Sequence, residues 1–320
     1  TPTLAMLVER AGQISNFQKE KYFNVELDCD GIPAVKSKIF DPDEAEQLRS
    51  RCQGSEAIVT AVKETEKKVK APKLYDLTTL QREANRIYGM TAKQTLDTAQ
   101  SLYEKKLITY PRTDSQYLTE DMEQTARNVV RQIYEKYQLT GPFDQPEQPD
   151  VKKVMNNSKV TDHHAIIPTM ELASYHLDEL KSWEEKILFL IAVHTVMAMS
   201  KDHIYQETEI EVECQGEVFK TKGKTVLQDG WKIFENCFKN KDRMAIADPD
   251  QEMKERIPKV TKGQTFYAVA AEKTEHFTSP PKPYSEDTLL AAMETAGNKE
   301  FDEDTEKKGL GTPATRAGII

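Results

Sequence analysis

Leu4, Leu7, Val8, Ala11 and Ile14 recur at helical spacing, so an amphipathic helix is predicted within residues 3–19. The period then changes. Phe23, Val25 and Leu27 alternate with polar neighbours over Tyr22–Cys29, and Ala57–Val62 does so less cleanly, which predicts strands. Lys63–Pro72 is charged without an apolar period and reads as an irregular connection. From Leu74 to about Ser200 the helical period returns. Thr78 with Gln81, and Thr91 with Gln94, fit capping boxes, and Gly89 suits the stop of the first of these helices. Two short helices about a tight turn suggest a helix-turn-helix or winged-helix unit. Thr119–Tyr137 sets Met122, Ala126, Val129, Ile133 and Tyr137 on one face. Gly141–Asp150, rich in Pro and acids, reads as a surface loop. Ser182 with Glu185 is expected to cap a long helix ending near Ser200. Its apolar run Ile187–Met199 is too short for a bilayer, which needs roughly 20 residues, and reads as buried. Strands return over Glu207–Cys214, whose acids alternate with Thr208, Ile210, Val212 and Cys214, the pattern of a sheet with one wet face. Val218–Leu227 and Thr265–Ala271 continue them. A helix around Leu289–Glu294 and a Gly-rich turn, Gly309–Thr312, leading into another helix complete the series.

This order predicts an α+β, multi-domain chain in which a helical unit is inserted between two batches of strands. Both batches then belong to one sheet domain that the chain crosses twice. The expected boundaries are a helical base segment at 1–20, the sheet domain at 21–72 and again at 201–275, a helical, winged-helix-like unit at 73–200, and a second helical base segment at 276–320. The crossings Lys63–Pro72 and Ser200–Tyr205 are the expected hinges.

Composition adjusts this picture in three places. At 320 residues the chain has room for two or three domains. Its four cysteines (Cys29, Cys52, Cys214, Cys237) form no CxxC pair, which argues against a zinc ribbon or disulfide framework and for buried thiols in a reducing compartment. The net charge of −9 is awkward for a phosphate-binding protein. Yet between Lys63 and Arg112 eleven Lys or Arg face six acids, while the region from Asp242 onward carries much of the negative excess. Composition names no partner. The chain opens on Thr1 without a signal-peptide pattern, and its start reads as a cut or boundary within a longer protein.

Three segments carry candidate chemistry. In Leu107–Ser115, an apolar approach ends at Tyr110, followed by Pro111, Arg112, Thr113 and Asp114. Pro111 disfavours helix at Tyr110, and in extended chain the phenol and the Arg112 guanidinium project to one side. Together they can address one phosphate, the phenol attacking phosphorus and the guanidinium holding non-bridging oxygens. The alternative is a half-buried tyrosine with Arg112 paired to Asp114 on the surface. In Val160–Thr169, adjacent His163 and His164 point to opposite faces of an extended chain and make a poor metal pair; one of them can instead donate to a phosphate. A packed histidine beside an edge strand is the other reading. The third segment, His276–Glu286, continues to Gly309–Arg316, where Gly and Thr open a helix, a possible phosphate-holding start.

Ile108-Thr109-Tyr110-Pro111-Arg112-Thr113-Asp114, then His163-His164-Ala165-Ile166-Ile167-Pro168-Thr169, then Gly309-Leu310-Gly311-Thr312-Pro313-Ala314-Thr315, in that order, resemble the type IA DNA topoisomerases. Pro111 and the paired histidines are most similar to the topoisomerase III branch. Leu80-Gln81-Arg82-Glu83-Ala84-Asn85 and the opening Thr1–Arg10 also fit, so the resemblance spans the chain. It implies a toroid-forming core in which the sheet domain is the arch and the helical unit bearing Tyr110 moves as a gate. It implies that Tyr110 cleaves one DNA strand and keeps it as a 5′-phosphotyrosine, that Arg112 stabilises the scissile phosphate and that His163 assists. Gln81, Arg82, Thr315 and Arg316 become candidate contacts to single-stranded or underwound DNA. No ATP is needed, in line with the absence of a GxxxxGK[ST] motif. Mg²⁺ is implied for the parent enzyme, held by an acidic N-terminal toprim domain that this sequence lacks, so an inactive central fragment is expected, with no metal ligands of its own. A monomer at the bacterial nucleoid, or one borne by a mobile element, is the implied setting. The rival readings are a single-strand DNA-binding module without cleavage and a helical interaction scaffold.

Overall fold

The computed structural model describes residues 2–139, 149–160, 162–235, 258–296, 309–316 and 318–319. Two hydrophobic cores organise them. The first grows from period-two alternation, which turns Val25, Leu27 and Cys29 of β1 (Lys21–Cys29) to one buried face. β2 (Ile32–Ile39) pairs antiparallel with β1, and α2 (Pro42–Cys52) lays Ala45, Leu48 and Cys52 against the same apolar layer. Asp41 starts α2 by accepting from the backbone N–H groups of Asp43 and Glu44, with Pro42 in the first helical position. β3 (Ala57–Val69), β4 (His203–Cys214), β5 (Glu217–Gln228), β6 (Thr265–Phe266) and β7 (Ala270–Phe277) complete one seven-stranded sheet in the order β6-β3-β4-β5-β2-β1-β7. Strands from both passes of the chain therefore interleave, with β3 from the first beside β4 from the second.

The second core is helical. α3 (Leu77–Tyr88), α4 (Ala92–Glu104) and α5 (Glu123–Tyr137) surround α6 (Ser182–Ala198), whose residues from Ile187 to Ala198 are all buried. A helix apolar on every side belongs at the centre, as its sequence predicts. Gly89 closes α3 in the left-handed region at φ 67°, and Thr91 with Gln94 forms the reciprocal box that starts α4. Two caps differ from expectation. Asp76 with Thr79 starts α3, because Asp76 sits where an extended residue meets the first turn, and Thr78 is buried inside that turn. α6 starts after Lys181, whose N–H donates to Glu184 rather than to a partner of Ser182. In α1 (Pro2–Ser15) the expected apolar stripe is present, but Leu4 and Val8 are exposed and Thr3 is the buried residue. α7 (Glu286–Glu294) buries Leu289, Leu290 and Met293 and packs on α3. Cys29, Cys52 and Cys214 are free and buried, and burial pushes the thiols of Cys29 and Cys52 up to about 12. Cys237, most of the 141–150 loop and residues 242–257 lie outside the described residues.

The segment expected to be an irregular connection, Lys63–Pro72, is strand through Val69. Lys63, Lys67 and Lys68 stand opposite Glu209, Tyr205 and Ile204, so cross-strand pairing supplies the order that sequence periodicity lacks. Where both crossings meet the helical core, Asp202 is the hub. Its carboxylate accepts from the N–H of Ala71 (3.1 Å), Lys153 Nζ (3.1 Å) and Lys68 Nζ (3.1 Å), and its carbonyl accepts from Gln228 (2.7 Å). Gly230, at φ 54°, passes so close that a Cβ there falls 2.3 Å from the Asp202 carbonyl oxygen. Burial raises the Asp202 pKa, but the Ala71, Lys153 and Lys68 hydrogen bonds outweigh it and hold the carboxyl down at about 2. Asp202→Ala is expected to lower unfolding free energy by about 2 kcal/mol, since three donors lose a charged acceptor. An unchanged urea midpoint means that this hub does not brace the junction.

Candidate active site

Tyr110 is positioned by what precedes it. α4 ends at Glu104, and Lys106 turns the chain in the left-handed region (φ 61°) while the N–H of Leu107 donates to Leu102 O at 2.9 Å. Leu107 and Ile108, both buried, then anchor the approach in the helical core. The histidine segment runs antiparallel beside this approach. Thr109 N–H donates to Ile167 O (3.0 Å), Ile167 N–H donates back to Thr109 Oγ1 (3.0 Å), and Thr109 Oγ1 donates to Ala165 O (2.9 Å). Farther along, Thr113 Oγ1 donates to the carbonyl of His163 (3.0 Å), and Leu77 N–H donates to Thr113 O (3.1 Å), tying both segments to the start of α3. Two segments some 50 residues apart in sequence thus form one fixed ledge.

On that ledge the Tyr110 ring is half-buried between two neighbours. The His163 ring lies 4.3 Å away, centroid to centroid, tilted at 44°, and Tyr103 meets it edge-on at 5.4 Å and 76°. Of the two histidines, His163 is the one at the tyrosine; His164 turns its Nδ1 to Ala165 O at 2.9 Å. Arg112 is exposed and makes no hydrogen bond or ion pair with a described residue, so the surface pair with Asp114 is not formed. The Tyr110 hydroxyl likewise has no hydrogen-bond partner among the described residues. An unpartnered phenol, an exposed guanidinium and an exposed imidazole on a rigid ledge suit in-line attack on a phosphodiester.

The other expected DNA contacts lie elsewhere. Gln81 is fully buried, its amide N–H donating to Ala92 O at 3.0 Å, so it joins α3 to α4 and is not a surface contact; its side-chain oxygen has no partner. Arg316 is also buried, donating from Nη1 to Thr78 Oγ1 (3.1 Å) and from Nε to Leu310 O (3.0 Å), with Glu294 3.9 Å away. It staples the C-terminal motif to α3. Arg82 pairs with Asp287 (2.8 Å) and Glu294 (3.7 Å), linking α3 to α7. Thr315 is exposed, and its Oγ1 accepts from the N–H of Thr312 at 2.8 Å, a local cap. A single sequence displays neither the burial of Gln81 and Arg316 nor the ion pairs of Arg82. Sequence reasoning passed over Tyr103 and the Lys105–Glu184 pair (2.6 Å) that holds the end of α4. Tyr103 has a faint signal, an aromatic residue just off the buried stripe of α4.

No group of three His, Cys, Asp or Glu among the described residues is placed to hold a metal ion. Among the described residues there is thus no ready-made carboxylate cluster for the Mg²⁺ that the resemblance implies.

A helical unit inserted in an antiparallel sheet that the chain crosses twice is consistent with the core of type IA topoisomerases. A family model described as DNA topoisomerase matches residues 1–320, and the chain belongs to that family. Proteins named DNA topoisomerase 3 from Bacillus licheniformis and Bacillus subtilis are each 37% identical over the whole chain, and one from Shouchella clausii is 33% identical, which places the chain on the topoisomerase III-like branch. The chain spans 45% of the length of these relatives. The structure of full-length topoisomerase I from Thermotoga maritima matches with a TM-score of 0.70 and 25% identity, over 99% of this chain and 48% of that one. No described helix is long and apolar enough to cross a membrane.

Proposed function

We propose that Tyr110 is the nucleophile of a type IA strand-passage reaction. Its oxygen attacks phosphorus in one DNA strand, the bond to the 3′-oxygen breaks, and that oxygen leaves as a hydroxyl while the 5′-phosphate stays on Tyr110. Attack by the same 3′-hydroxyl reverses the step. The phosphodiester energy is conserved, so no ATP is required. Arg112 holds the non-bridging oxygens, and His163 donates to the same phosphate. Among the described residues, the observation that carries this reading is the unpartnered Tyr110 hydroxyl against His163 beside an ion-pair-free Arg112. Because the chain spans 45% of its relatives, the Mg²⁺ site is assigned to the remainder of a longer enzyme, and these residues alone are proposed to bind single-stranded DNA without cutting it. The setting is bacterial DNA in the cytoplasm, with a monomer acting.

The test is a denaturing gel with a 3′-labelled single-stranded oligonucleotide and Mg²⁺, using the intact enzyme, followed by mapping of the labelled peptide. Label on the Tyr110 peptide is expected; label elsewhere, or none from an enzyme that relaxes DNA, sinks the assignment. A binding series separates the arginines. Arg112→Ala is expected to reduce the slope of log affinity against log salt by about 0.7, the loss of one phosphate contact on a single strand. Arg82→Ala is expected to leave that slope unchanged, since its guanidinium is committed to Asp287 and Glu294.

A further inference from the structure

A second aromatic ring against Tyr110, that of Tyr103, has no part in the proposed cleavage step. Tyr103 lies in the last turn of α4, whose buried stripe is Ala92, Thr95, Leu96, Ala99 and Leu102. Tyr103 stands just outside that stripe and is 39% exposed. A large aromatic ring on the wet side of an amphipathic helix gains little from the core. What it does touch is the Tyr110 ring, edge-on at 5.4 Å. The turn that brings the two together passes through Lys106, exposed and without an ion pair to a described residue.

We propose that Tyr103 has two jobs, positioning Tyr110 and stacking the base of the nucleotide next to the scissile phosphate. The proposal rests on Tyr110 being the nucleophile. Tyr103 remains 39% exposed despite this contact, and a flat aromatic face accepts any base. The His163 and Tyr103 rings both contact the Tyr110 ring, whose phenol oxygen has no hydrogen-bond partner among the described residues. Lys106 adds a cation on the same turn for the neighbouring phosphate.

The experiment reads stacking separately from cleavage. Binding is measured in intact enzyme carrying Tyr110→Phe, with single-stranded oligonucleotides in which each position around the cleavage point is made abasic in turn. One flanking position is expected to lose about ten-fold in affinity when abasic, the size of one base–aromatic stack. Adding Tyr103→Leu is expected to cost the same ten-fold on the normal strand and to erase the abasic penalty. Tyr103→Phe, which keeps the ring, is expected to behave as the parent in both. In enzyme with Tyr110 intact, Tyr103→Leu is also expected to slow single-turnover cleavage at saturating DNA, and Tyr103→Phe to restore it. A matching thermal melt shows that Tyr103→Leu folds. An abasic penalty that survives Tyr103→Leu, or unchanged cleavage at saturation, overturns the proposal. Failure of the Tyr110 assignment shows itself differently, as an adduct mapped to another residue.

Discussion

Tyr110→Phe is expected to remove all covalent attachment to DNA, a loss on the order of 10⁴-fold or more in cleavage, while changing neither fold nor affinity. The argument is one of subtraction. The substitution deletes a single oxygen, and that oxygen makes no hydrogen bond to a described residue, so no internal partner is left unsatisfied. The ring contacts with His163 and Tyr103 depend on the aromatic carbons and persist. Unfolding free energy is therefore expected within about 0.5 kcal/mol of the parent, and affinity for a single-stranded oligonucleotide within about two-fold. Activity lost together with stability would instead make Tyr110 a packing residue. Activity retained would move the nucleophile elsewhere.

The second large effect is structural. Glu184, at the start of α6, is buried with its side chain 4% exposed, and it receives Ser101 Oγ (2.6 Å), Lys105 Nζ (2.6 Å) and the N–H of Lys181 (2.9 Å). Burial raises its pKa, but these three donors together prevail and hold the carboxyl down at about 2, from an ordinary 4.5. Removing it as Glu184→Ala leaves Lys105 without its acceptor and is expected to cost about 2–3 kcal/mol, since the partly exposed ammonium can still be solvated. The sign of the pH dependence follows. A carboxyl held below its ordinary value contributes fully above about pH 4.5, and the contribution fades as pH falls toward about 2. The parent is thus expected to lose stability across that window, and Glu184→Ala to lose less. Equal acid sensitivity in both proteins would remove the pair from the account. Because Lys105 directly precedes the Lys106 turn, cleavage is also expected to fall in the variant at temperatures where it remains folded.

Residue pattern alone was enough for much of the fold. Alternation placed β1 and β4, the all-round apolar run Ile187–Met199 placed the central helix, and Gly89 with the Thr91–Gln94 box placed the α3–α4 turn. It was insufficient where partners supply the order. β3 continues through Lys63–Val69 because β4 pairs with it, and a charged strand carries no apolar period to reveal this. α2 had a readable signal, Asp41-Pro42 followed by Ala45, Leu48 and Cys52, but a short helix between strands competes with the surrounding period-two reading.

For the proposed site, Tyr110, Arg112 and His163 could be singled out in sequence because few residue types suit phosphoryl transfer, and because their motifs resemble a family in order as well as content. Which histidine faces the phenol was settled by the backbone zipper of Thr109 with Ala165 and Ile167, a contact across more than 50 residues. Gln81 and Arg316 look in sequence like any polar residue near a motif. Their burial, at 0% and 4% exposure, and their hydrogen bonds to Ala92, Thr78 and Leu310 are visible only in the fold. Sequence fixes local backbone preference and side-chain chemistry, since both depend on near neighbours. Burial, ion-pair partners and the meeting of distant segments depend on the packing of the whole chain, and those were decided in three dimensions.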